Sequence, residues 1–168
     1  MATIAYFDCF SGISGDMLIG SLLDAGLDFD ALKSELQKLS LPGCNLELKK
    51  VSRQHLSCSK FDVLDEDAET YRHLPDLNRV VEVSGLDDDI KDGAKAIFLK
   101  IAKAESKIHD IPLEKVHFHE IAAVDTIIDV CGALVGLKLL GIERVYCSTL
   151  NVGSGTVSFS HGTYPVPA

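Results

Sequence analysis

At 168 residues and 46% hydrophobic side chains, the chain is long enough for one domain and too apolar for a disordered segment. A domain of this size buries roughly 70% of the surface its unfolded chain exposes. The net charge of −9 offers no basic patch and excludes a nucleic-acid backbone as the main partner.

The first residues, MATIAYFDCF, lack the charged start and long apolar run of a secretory signal, so a cytoplasmic location is expected. Thr3 to Phe7 read as a short buried strand, followed by the turn-rich DCFSGISGD at 8 to 16. Met17 to Ala25 fit a helix stopped by Gly26. Asp28 then caps a second helix, with Phe29, Leu32, Leu36 and Leu39 as its apolar stripe, which Pro42 and Gly43 end.

Alternation around Leu46 and Leu48, and again around Phe61 and Val63, predicts a hairpin turning at Ser52 to His55. Asp65 to Thr70 read as a solvated loop, and Asp76 as the cap of a short helix ending near Gly85. Residues 87 to 108 place Ile90, Ala94, Ile97, Phe98, Ile101 and Ile108 at helical spacing, a core stripe. Glu120 to Leu140 form a long central apolar helix of roughly five to six turns. Arg144 to Cys147 and Thr156 to Phe159 read as strands around the LNVGSG turn, and HGTYPVPA as an end without a closing element. The expected fold is α/β or α+β, a small mixed sheet covered by several helices, forming a single domain over 1–168. This domain would be the amino-terminal part of a longer protein.

Five cysteines, at 9, 44, 58, 131 and 147, form no close pair, and reduced thiols, mostly in the core, are expected. The most apolar stretch, 121 to 137, is broken by Asp125 and Asp129, which argues against a membrane span.

Chemistry concentrates between 117 and 129, where His117, His119, Glu120, Asp125 and Asp129 stand among apolar neighbours. A buried carboxylate costs several kcal/mol unless it is paired or bound to a cation, and no basic residue follows before Lys138. A helix puts Asp125 and Asp129 on one face with Gly132 and Gly136, where another backbone can approach. An extended HFH points both histidines one way and Phe118 into the core. Any one of these residues alone reads as an ordinary core or surface group. Together they read as a metal or catalytic cluster, with zinc, nickel, iron and manganese all compatible.

A second constellation is the turn at 8 to 16. Gly12 and Gly15 permit close backbone approach, Ser11 and Ser14 offer hydroxyls, and the following helix start favours a phosphate or carboxylate. Without a lysine it is not a P-loop, and Asp8 and Asp16 make an anion there dependent on a bridging cation. The competing reading is a Gly-rich turn with Ser14 as helix cap. Arg72 beside His73 offers a planar fork for a carboxylate or phosphate. NVGSG at 151 to 155 reads as a tight turn, with a second backbone cradle as the competing reading, His161 reads as a lone loop residue, and His55 and His109 lack supporting neighbours.

YFDCFSGISGDM (6 to 17), YRHL (71 to 74), VHFHEIAAVDTIIDVCGAL (116 to 134) and NVGSGTV with HGTYPVPA (151 to 168) resemble the amino-terminal region of the LarC family. These are the nickel insertion proteins of the nickel-pincer nucleotide cofactor. The resemblance implies a CTP-dependent insertase of the cyclometallase type, a lyase, that places nickel into pyridinium-3,5-bisthiocarboxylic acid mononucleotide to give the cofactor of lactate racemase.

Matched motif to motif, it implies that Asp8, Ser11, Asp16, His73, His117, His119, Glu120 and Asp125 belong to the site. Taken with the residue readings above, the candidates are Asp8, Asp16, Glu120 and Asp125 for catalysis, Ser11, Gly12, Ser14, Gly15 and Arg72 for nucleotide contacts, and His73, His117, His119 and Glu120 for metal ligation. The implied cofactors are nickel and CTP with Mg or Mn. The implied partners are the pyridinium mononucleotide and a carboxy-terminal portion of the same protein that shares in holding CTP, with homo-oligomerisation left open. A non-catalytic nickel delivery module and a structural assembly domain are the competing readings.

Overall fold

The computed structural model describes residues 2–53, 55–65, 73–116, 118, 124–159 and 162–167. Two compact units emerge, Gly15–Leu140 and a second made of Met1–Ser14 with Gly141–Ala168. No described helix is long and apolar enough to cross a membrane. The mixture of helices and strands is the α/β type expected, with the strands, among the described residues, distributed over three two-stranded sheets.

The first unit is built on helices. α1 (Gly15–Asp24) starts two residues before the expected Met17 and ends as predicted at Gly26. There the Leu27 N–H donates to the Leu22 carbonyl at 3.0 Å and the Gly26 N–H to that of Leu23 at 3.2 Å, a Schellman closure. The left-handed backbone this requires, φ 108°, costs Gly nothing. α2 (Phe29–Gln37) begins where Asp28 accepts a hydrogen bond from the Ala31 N–H at 2.8 Å. Asp28→Ala is therefore expected to lower stability by about 1 kcal/mol, read as a lower midpoint in urea unfolding.

The predicted hairpin is present as β1 (Cys44–Arg53) paired antiparallel with β2 (Leu56–Asp65), Leu48 opposite Phe61. Phe61 is buried, and α1 lies so close to β2 that a Cβ on Gly20 would stand 2.8 Å from the Ser59 carbonyl. Asp24 clamps the same contact by accepting from Lys50 Nζ, the Ser59 N–H and the Ser59 hydroxyl. Chiefly the Lys50 bond, then those from Ser59, hold its carboxyl down at about 2.

α3 (Leu74–Val83) is capped at His73, whereas Asp76, the expected cap, sits inside the first turn and accepts from the His73 N–H at 3.2 Å. α4 (Asp88–His109) buries Ile90, Ala94, Phe98 and Ala102. Ile108, expected in that stripe, is 75% exposed because it lies in the last turn, beyond the reach of the packed neighbours. α5 (Val124–Leu139) is the central helix foreseen, burying seven residues from Val124 to Gly136 and packing on α1, α2 and α4. Residues 120 to 123 of the expected helix lie outside the described residues. Gly132 and Gly136 meet side chains, not a second backbone, with Ile19 Cδ1 2.8 Å from a Cβ placed on Gly132.

The second unit holds β3 (Ile4–Phe7) and β4 (Arg144–Cys147), paired in parallel, Tyr6 beside Tyr146, and the hairpin β5 (Thr156–Phe159) with β6 (Gly162–Pro165). β6 lies within HGTYPVPA, where no strand was expected. β3 is not the buried strand expected, since Ile4 and Tyr6 are 58% and 64% exposed. All five cysteines are free, but only Cys9 and Cys131 are buried, fewer than expected.

Candidate functional site

The amino termini of α1 and α5 lie side by side. Gly15 abuts the Asp129 side chain, Ile19 packs on Gly132 and Leu22 on Gly136, so the helices run in the same direction with their turns matched. Asp16 stands in the first turn of α1 and Asp125 in that of α5, where both helix dipoles favour negative charge. Asp125 is exposed and its carboxylate accepts from the Thr126 N–H at 2.7 Å.

Asp129, one turn further on, is half-buried. Burial first, then the charges of Asp16 and Asp125, pushes its carboxyl from 3.8 to about 6. Desolvation and repulsion thus outweigh the helix termini, and among the described residues no cation pairs with Asp129. Asp129 was part of the cluster in the sequence but not of the set carried over by resemblance. Its spacing of four from Asp125 was the available signal.

His73 is organised from a different direction. Its Nδ1–H donates to the Val116 carbonyl at 2.9 Å, which anchors the ring. This carbonyl-anchored arrangement is the one metal-binding histidines use. It also joins the YRHL and VHFHE segments, and Val116 and Phe118 are buried, Phe118 as the alternation required.

In the second unit, the turn at 8 to 14 is tied to the NVGSG loop. The Cys9 carbonyl accepts from the Gly12 N–H at 3.1 Å and the Asn151 N–H at 3.3 Å, and Asn151 Nδ2 donates to the Phe10 carbonyl at 2.7 Å. Gly12, at φ 91°, has the Asn151 carbonyl 3.3 Å from where a Cβ would stand. Asn151 is thus a positioning residue that its tight-turn reading did not distinguish.

The structure therefore brings together Gly15, Asp16, Asp125 and Asp129. Asp8, Ser11, Gly12 and Ser14 belong to the second unit and are described with it. Arg72, His117, His119 and Glu120 lie outside the described residues. Among the described residues no three His, Cys, Asp or Glu side chains form a metal-binding group.

Carboxylates and a carbonyl-anchored imidazole are the ligand types of proteins that handle divalent metals. The chain belongs to the nickel insertion protein family, whose profile matches residues 5–168. A protein named for nickel insertion in Dictyoglomus thermophilum is 50% identical over 163 residues, covering 97% of this chain and 42% of that protein. Two pyridinium-3,5-bisthiocarboxylic acid mononucleotide nickel insertion proteins are also similar. That of Desulfitobacterium hafniense is 45% identical over 164 residues, 98% of this chain and 41% of the relative. That of Geobacillus kaustophilus is 42% identical over 175 residues, 98% of this chain and 43% of the relative. The chain spans about two fifths of the length of these curated relatives. No solved structure matches it.

Proposed function

We propose that this chain is the part of a nickel insertase that gathers metal and nucleotide, acting on pyridinium-3,5-bisthiocarboxylic acid mononucleotide to form the nickel-pincer cofactor used by lactate racemase. The observation that carries this reading is the similarity, over 98% of the chain, to relatives named for that insertion. Nickel is the cargo. The nickel ligands implied by the resemblance are His73, whose ring is anchored on the Val116 carbonyl, and His117, His119 and Glu120.

Asp16 and Asp125 are among the acids implied for catalysis, and with Asp129 they concentrate negative charge at the paired helix termini. Mg or Mn would accompany CTP. Ser11, Gly12, Ser14, Gly15 and Arg72 would each offer phosphate a hydroxyl, a backbone N–H or a guanidinium, and Asp8 a carboxylate. The reaction would be of the cyclometallase type, in the lyase class, and cytoplasmic. The rest of the parent polypeptide would share in holding CTP.

The test supplies the polypeptide at its relatives' full length with the metal-free pyridinium nucleotide, CTP and nickel. Mass spectrometry is expected to show the nickel-bearing nucleotide only when CTP is present. Nickel bound by the protein without any metallated nucleotide would overturn the insertase reading in favour of a delivery module.

A further inference from the structure

The second unit is an incomplete sheet. The buried apolar side chains among the described residues run from Ile19 to Val135, with Cys9 the single exception from this unit. Among the described residues β3 pairs with β4 alone, and the pairing is parallel. Parallel sheets are found with both faces covered, because their crossovers lay helices over them. Here, among the described residues, apolar side chains stay exposed on both faces, with Ala5 and Phe7 half-buried. The register puts Ile4, Tyr6 and Tyr146 on one face at 58%, 64% and 49% exposure, and Val145, at 50%, with Cys147 on the other. The β5–β6 hairpin is also exposed along its described side chains, with Val157 and Tyr164 at 38% and 43%.

Isolated two-stranded sheets are marginal in water, and contiguous apolar exposure of this kind marks an interface. The relatives are more than twice as long as the stretch matched here, so a cover within the same polypeptide is available. We propose that the portion of the parent polypeptide not covered by this chain docks on β3 and β4, adding strand to their edge and apolar cover to both faces. The site is an intramolecular docking surface, and its occupant is apolar and β-forming.

Cys147 reports on this directly, because it is exposed on β4. Its rate of alkylation, followed by peptide mass spectrometry, is compared between this chain and the polypeptide at its relatives' length. The expected result is at least a tenfold slower reaction in the longer polypeptide. Hydrogen exchange should slow in parallel for peptides spanning 3–8 and 143–148. Val145→Arg, on the face of Cys147, should return the longer polypeptide towards the rate of the shorter chain. Equal rates in the two proteins would overturn the proposal. So would slow alkylation in this chain alone, whether independent of concentration, which indicates cover from within, or rising with concentration, which indicates a second copy.

Discussion

Asp129→Asn is expected to stabilise the fold at neutral pH while disabling nickel insertion. The carboxyl is raised in the folded state to about 6, against 3.8 when unfolded. Between these values the native state holds the extra proton, so stability falls as pH rises through the window, and above about 6 the full cost of the charge is present. The difference corresponds at most to about 3 kcal/mol, and solvent screening at a half-buried position reduces it to about 1–2 kcal/mol. Asparagine keeps the shape and removes the charge. Thermal unfolding of the variant should therefore show a midpoint about 3–6 °C higher at pH 7.5 and no advantage near pH 4. A lower midpoint at pH 7.5 would contradict the account of Asp129 as a desolvated, repelled acid. In the full-length polypeptide the same change should cut insertion at least about tenfold, because an acid retained at a cost in stability is one that activity needs.

The parts of this fold that were legible in the sequence are those fixed by near neighbours. The Asp28 cap and the Gly26 stop depend on residues within one turn, and the hairpin on side-chain alternation between Leu46 and Val63. What was not legible depends on distant partners. Asp76 had the side chain of a cap, yet His73 holds that position with its ring bonded to the Val116 carbonyl, 43 residues away. The apolar spelling of β3 does not distinguish a strand already covered from one awaiting cover. In the site, the spacing of Asp125 and Asp129 announced a shared face. Gly15 and Asp16 became adjacent to that face only through the docking of α1 on α5, which rests on Ile19 against Gly132 and Leu22 against Gly136. Those contacts place two motifs more than a hundred residues apart in the chain at one end of one helix pair, an arrangement that no local pattern encodes.

Gly15→Ala should separate that arrangement from the stability of the fold. The added methyl would fall on the Asp129 carboxyl, its Cβ included, so the side chain cannot simply swing its far end aside. Asp129 must move, or α1 must back away from α5. Overpacking of this kind costs about 1–3 kcal/mol, so the midpoint of unfolding should fall. Insertion per folded molecule of the full-length polypeptide should fall as well, at least about tenfold, since a displacement of about 1 Å in a positioned group is enough for a large loss. Gly20→Ala is the control. Its methyl would meet the Ser59 backbone carbonyl at 2.8 Å, a strand that cannot yield cheaply, and the cost should appear as about 1–3 kcal/mol of lost stability. Insertion per folded molecule should be largely kept in that variant, because Gly20 lies beyond the turn that carries Asp16. If both variants lost stability and activity in the same proportion, the Gly15 contact would be ordinary packing, and the carboxylates at the helix termini would not depend on it for their positions.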